Sequence, residues 1–243
     1  MGNIAYACFC TDVIHEGHRN ILREAKKRGT VVAGVLSDRE MVRYNRFPAI
    51  SLEERIALLE AEPEVERVVV QDAIMYDAII TSLKPDFVVH GDNWRGGPMS
   101  AIRENVLANL KKTGGTLIEV PYTWNPDVKK IDERMRERLV MPEFRRRRLR
   151  RLLEIVPIVK TIEVHDGLTG LLAEKTVVEH EGGLDQFDAL WISSLCDSTA
   201  KGKPDIELVD MSSRIRTIDD VMDVTTKPII LDADTGGLIE HFV

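Results

Sequence analysis

Cysteine is scarce and poorly placed for pairing. Cys8, Cys10 and Cys196 are odd in number and show neither C-x-x-C nor zinc-finger spacing. A disulfide framework is therefore not what organises the chain, and the three thiols are expected to be reduced. Long apolar runs are missing too: no stretch approaches the roughly 18 to 20 residues that a membrane span needs. The opening MGNIAYACFC also lacks the basic start and apolar length of a secretion signal, so a cytoplasmic protein is expected. An excess of positive charge is absent as well. A formal net charge of −7 argues against a general polyanion binder. What the chain does have is 44% hydrophobic and 30% charged residues over 243 positions, the composition of a globular protein of one or two domains.

One stretch runs against the overall charge. FRRRRLRRLLEI, residues 144–155, holds six arginines between Arg145 and Arg151. Leu149, Leu152 and Leu153 fall at helical spacing, which predicts an amphipathic linker helix with a solvated basic face; an arm for nucleic acid is the competing reading.

From residue 3 to about 139 short β-rich runs alternate with helical ones, the pattern of a parallel sheet wrapped by helices. NIAYACF, TVVAGVL, VERVVV, DFVVHG and TLIEV read as five strands. Helices are predicted at about Glu16–Lys27, from the capping box Ser51/Glu54 onward, at 76–84 and at 99–112. Beyond Leu152 the pattern gives a strand with a turn and short helix, then FDALWISSL, a polar loop DSTAKGKPD, a helix near Ile218–Val224 and a strand in PIILDADTGG. The ending LIEHFV is an apolar run without a cap or polar tail, and a truncated second domain is the expectation drawn from it. The division expected is 1–140 for the parallel-sheet domain, 141–152 for the basic linker helix and 153–243 for a second, incomplete domain.

The stretch FCTDVIHEGHRNI carries the chemistry. In an open α/β sheet, ligands bind where strands end and helix N-termini present free N–H groups. His15 and His18 stand at that junction after the first strand, and Gly17 removes a side chain so that a phosphate can approach. Two imidazoles there would donate to phosphate oxygens as charge builds during attack on phosphorus. Histidines that only cap the helix, or a zinc site with no third ligand in view, are the alternatives.

TDVIHEGHRNIL resembles the His-x-Gly-His signature of the cytidylyltransferase family, with Asp12 matching an aspartate three residues before the first histidine. LEERIALL resembles that family's helix bearing a nucleotide-contacting arginine, here Arg55, and HGDNW resembles its Gly-Asp-Asp-Trp strand end, here Asp92 and Trp94. The resemblance implies a Rossmann-like nucleotidyltransferase domain with CTP as substrate and Mg²⁺ as cofactor. It departs from the family at Asn45, where a basic pair is usual, so Arg46 alone would serve the phosphates. It departs again in VPYTWNPDVKK, where Thr123, Asn125 and Asp127 stand in for a Ser/Thr-rich helix start.

RLRRLLE, IEVHDGLTGLLAE, DALWISSLCDSTAKGKPDIELVD and PIILDADTGG resemble the opening third of phosphoenolpyruvate mutase, a (β/α)8 barrel that forms phosphonopyruvate. That resemblance implies Mg²⁺ held by Asp232 and Asp234, a phosphate side lined by Trp191, Ser193 and Leu195, and a gating loop from Lys201 with Asp205 as its functional carboxylate. A barrel needs on the order of 250 residues, so no mutase turnover is expected from this chain alone. The combined expectation is CMP transfer from CTP to a small phosphonate, such as 2-aminoethyl- or 2-hydroxyethylphosphonate, by a homo-oligomer with no nucleic-acid or membrane partner.

Overall fold

The structure, a computed structural model, describes residues 2–43, 47–96, 99–121, 130, 141–180 and 183–234. Contacts divide the chain into two compact units, Met1–Asp132 with Glu179–Leu184, and Glu133–Val178 with Asp185–Val243.

In the first unit, strand β1 (Ile4–Phe9) has Ala5, Tyr6 and Ala7 wholly buried, as a strand covered on both faces must. Helix α1 (Glu16–Lys26), strand β2 (Thr30–Leu36), helices α2 (Asp38–Arg43) and α3 (Leu52–Glu60), and strand β3 (Val65–Gln71) follow. Then come α4 (Asp77–Leu83), β4 (Phe87–Gly91), a 3-10 turn at Asp92–Trp94, α5 (Ser100–Thr113) and β5 (Thr116–Val120). The five strands are parallel in the order β3-β2-β1-β4-β5. That order reverses direction between β1 and β4, which makes their carboxyl ends the topological switch point.

Alternate residues of β1 serve two cores, as a pleated strand requires. Ala5, Ala7 and Phe9 pack with Leu22, Ala25 and Leu59 on one face. Tyr6 packs with Ile80, Val88, Trp94, Val106 and Leu110 on the other. The Tyr6 hydroxyl donates to Gln71 Oε1 at 2.6 Å, reaching from β1 to the end of β3 over β2. Gly34 of β2 lies beneath it: a Cβ there would overlap the tyrosine hydroxyl, so the glycine is fixed by close approach. Burial pushes the Tyr6 phenol well above its ordinary range, so it stays a donor.

All five expected strands are present, and TVVAGVL and TLIEV occupy the expected residues. The Ser51/Glu54 capping box is closed in both directions, Glu54 N–H to Ser51 Oγ at 3.2 Å and Ser51 N–H to Glu54 Oε2 at 2.8 Å. Helix α2 is an addition; six residues are too few for a periodic signal.

In the second unit, α6 (Pro142–Ile155) is the arginine helix. Strand β6 (Thr161–Glu163), helix α7 (Gly167–Lys175) and β9 (Ala189–Ile192) follow, and between α7 and β9 come the paired strands β7 (Val177–His180) and β8 (Gly183–Gln186), of which Glu179–Leu184 are counted with the first unit. Helices α8 (Ser194–Ala200) and α9 (Met211–Val224) and strand β10 (Ile229–Leu231) complete the described part. Strands β6, β9 and β10 are parallel neighbours in chain order, as successive strands of a barrel wall are.

Three expectations are corrected here. The basic face of α6 is not simply solvated, because the Arg145 and Arg148 guanidiniums donate to the carbonyls of Met222, Thr225 and Thr226 at the end of α9. The polar loop begins later than expected, since α8 runs through DSTA with Ser193 as its cap. Helix α9 starts at Met211, where Asp210 accepts from the Ser213 N–H at 3.0 Å; the sequence reading placed that start near Ile218.

Candidate active site

The first turn of α1 is built around its two histidines. His15 is the extended N-cap residue, and its carbonyl accepts from the N–H groups of His18 at 2.9 Å and Arg19 at 3.1 Å. The imidazoles of His15 and His18 stack with centroids 3.6 Å apart and planes 21° from parallel, and His18 meets the edge of Phe9 of β1 at 5.5 Å. The two rings therefore form one aromatic unit at the carboxyl end of the central strand. His18 Nδ1 accepts from the His15 backbone N–H at 3.4 Å, so the proton of neutral His18 sits on Nε2 and makes that atom a donor.

Gly17 acts differently from the expectation. A Cβ at 17 would stand 3.0 Å from His15 Cε1 and 3.1 Å from Nδ1, so the missing side chain leaves room for the His15 ring to lie back over the turn.

Asp12 and Arg55 hold the rim of this turn. Asp12 Oδ2 accepts from the Ala49 N–H at 2.9 Å, tying the segment before α3 to the end of β1, and its Oδ1 lies 3.9 Å from Arg55 Nε. Arg55, the arginine expected to contact the nucleotide, is a buried strut here. Its side chain is wholly buried, with Nη1 donating to the Leu36 carbonyl at 2.6 Å and Nη2 paired to Asp38. Arg46, Asn45, Thr123, Asn125 and Asp127 lie outside the described residues.

Across the switch point, β4 ends in His90-Gly91 and turns through Asp92–Trp94. Asp92 is half-buried at the start of the turn. Trp94, the tryptophan of the Gly-Asp-Asp-Trp resemblance, is a core residue: it is fully buried, and its indole N–H donates to Glu119 Oε1 at 2.9 Å. Glu119 also receives Arg103 at 2.9 and 3.1 Å and Arg95 at 3.0 Å. The Arg103 hydrogen bond, with those of Arg95 and Trp94, pulls the Glu119 carboxyl down to about 2 against its desolvation. His90, the ladder partner of Glu119, stacks on Trp94 at 3.6 Å and 9°.

His90, Glu119 and Arg103 were missed by sequence reasoning. A signal existed for Glu119, a lone charge in the otherwise apolar strand TLIEV; none existed for its partner Arg103 on α5.

In the second unit, Asp232 and Asp234 follow β10. Asp232 Oδ2 accepts from Ser194 Oγ at 3.1 Å and its Oδ1 from the Asp234 N–H at 3.1 Å. Asp205 joins the same hydroxyl at 3.4 Å, so Asp205, Ser194 and Asp232 do converge. Asp234 turns instead to Arg214, whose guanidinium pairs with it and lies 3.9 Å from Asp197. Among the described residues no three His, Cys, Asp or Glu side chains assemble as a metal-ligand set. Asp232 and Asp234, the pair expected to hold Mg²⁺, thus have different partners here, a serine hydroxyl for Asp232 and a guanidinium for Asp234. Ser193 caps α8 and hydrogen-bonds Glu163, which holds that carboxyl below its usual range; Trp191 is 37% and Leu195 57% exposed.

The comparisons follow this division. Residues 6–111 match the family model described as cytidylyltransferase-like, and residues 149–243 match that of phosphoenolpyruvate phosphomutase. Among curated relatives, the bifunctional protein HldE of Desulfatibacillum aliphaticivorans is 30% identical over 46% of this chain and 22% of its own length. An FAD synthase of Thermococcus sibiricus is 29% identical over 50% of this chain and 82% of its own length. The ethanolamine-phosphate cytidylyltransferase of Mus musculus is 34% identical over 35% of this chain and 21% of its own length. The chain thus spans about a fifth of the first and third of these proteins.

Proposed function

We propose that this chain, a cytidylyltransferase-like segment joined to a phosphoenolpyruvate phosphomutase-like one, transfers CMP from CTP to a small phosphonate and releases pyrophosphate. One observation carries the reading: the stacked His15–His18 pair on the first turn of α1, at the carboxyl end of β1 beside the switch point. In the reaction, an oxygen of the acceptor attacks the α-phosphorus and the bond to the pyrophosphate oxygen breaks. Negative charge grows on the oxygens of that phosphate. His18 Nε2–H and the His15 ring donate to them, and because the stack and the Gly17 notch fix both rings beforehand, little reorganisation is needed as the charge develops. Asp12 and Arg55 hold the turn and the neighbouring loop in register.

The mutase-like segment supports a phosphonate acceptor, because the rearrangement its family resemblance implies creates a carbon–phosphorus bond. The test is pyrophosphate release from CTP with 2-aminoethyl- and 2-hydroxyethylphosphonate, in the wild type and in His18→Ala. We expect the variant to be about 100- to 1000-fold slower. A wild-type rate no higher than the variant's would leave the segment a binding arm.

The named relatives favour a second reading, in which the same transfer serves a phosphorylated alcohol such as ethanolamine phosphate, or another nucleotide. Ethanolamine phosphate and ATP in the same assay separate the two: a faster rate with either overturns the phosphonate or the CTP assignment respectively.

A further inference from the structure

The rings beside the switch point point to a way of choosing the nucleobase, an inference that rests on the nucleotidyl-transfer reading. Glu119 on β5 fixes Trp94 through its indole N–H, and Trp94 in turn presents its flat face to His90 at 3.6 Å and 9°. Glu119 and His90 are ladder partners, so strand pairing and indole lock the imidazole from two sides. Orientation is fixed as well. His90 Nδ1 lies 2.8 Å from the Gly91 carbonyl oxygen, which can only accept, so Nδ1 carries the proton.

In the neutral ring Nε2 is then a lone-pair acceptor, and burial lowers the His90 pKa, which favours the neutral form. Among the described residues Nε2 has no hydrogen-bond partner, and the residue is half-buried. The residue stands at the carboxyl end of β4, hydrogen-bonded next to the strand that delivers His15 and His18.

We infer that His90 Nε2 is a specificity-determining acceptor that reads the exocyclic amine of the nucleobase. An amino base, cytosine or adenine, offers an N–H donor where uracil and guanine carry a carbonyl oxygen. Against a keto base the Nε2 lone pair would face another lone pair, leaving two acceptors opposed and desolvated; that repulsion rejects the base more than the amine attracts its rival. The stacked indole prevents His90 from rotating away to relieve the conflict.

The experiment is calorimetric titration of the full chain with CTP, UTP, ATP and GTP, for wild type, His90→Phe and His90→Asn, with thermal unfolding midpoints as the folding control. The wild type is expected to prefer CTP to UTP, and ATP to GTP, by about tenfold or more. In His90→Phe, which keeps a ring on Trp94 but has no acceptor, both ratios fall toward unity. His90→Asn, whose amide can donate or accept, also loses the preference and supplies the reading should phenylalanine not pack. A folded variant that keeps the wild-type ratios overturns the inference, as does a wild type that binds CTP and UTP alike while still transferring nucleotide. A wild type that binds none of the four removes the nucleotidyl-transfer reading itself.

Discussion

Glu119 shows how much one side chain can order. It gathers Trp94, Arg95 and Arg103, and its carboxyl falls from the ordinary 4.5 to about 2. The folded-state value is depressed, so the stabilisation is present above the unfolded value and is lost as pH falls from about 4.5 toward 2. Glu119→Gln removes the charge-assisted bonds and is expected to cost about 1.5 to 3 kcal/mol at neutral pH. Urea unfolding of both proteins from pH 7 down to pH 2.5 checks this: the two stability curves converge at the acid end. Parallel curves would mean that the carboxylate charge contributes nothing. Arg55 makes the complementary point about reading residues from sequence. Its place in LEERIALL was visible, but its burial was not, because the carbonyl and carboxylate it serves, Leu36 and Asp38, come from a different part of the chain. Gly17 is similar: the need for space was legible, the His15 ring that fills it was not.

Elements were most legible where the signal is local. The capping box before α3 and the β-branched runs of β2 and β3 rest on neighbours within a few residues, and they appear where the spacing predicts. Helix α6 had its leucines read correctly in part: Leu152 is buried while Leu153 is 64% exposed. The partners of its arginines were hidden, because they are carbonyls at and just beyond the end of α9, more than seventy residues away. Arg145 reaches the Met222 carbonyl of the last turn and that of the cap residue Thr225, the negative end of a helix dipole that a guanidinium complements, while Arg148 holds Thr226 just beyond it. Burial lowers the Arg148 pKa to about 10, so the charge persists at neutral pH. Arg148→Met keeps the apolar stem but removes the hydrogen bonds to Thr226. It is expected to lower stability by about 1 to 3 kcal/mol, read as a fall in the thermal midpoint, with Arg147→Met, on the exposed side, near zero. Equal effects at both positions would show that net charge and not the bonds to Thr226 is responsible.

At the scale of the whole molecule, no described helix is long and apolar enough to cross a membrane. Two segments of the chain, 6–111 and 149–243, match family models, and both resemblances were legible in the sequence because the motifs that carry them lie at strand or helix ends. What motifs could not reveal is how side chains at those ends are spent, as with Asp234 on Arg214 and Trp94 on Glu119. The bond from Tyr6 to Gln71 has a wider consequence. Because β3 is a border strand, it would ordinarily fray first, yet here it is bolted to the middle of the sheet across an intervening ribbon with no side chain in the way. Slow amide exchange should accordingly be shared by β1, β2 and β3, which open together. Tyr6→Phe cuts the bolt, and under deuterium β3 should then exchange well ahead of β1, so that one phenolic oxygen sets whether this sheet melts as a single piece or from its margin inward.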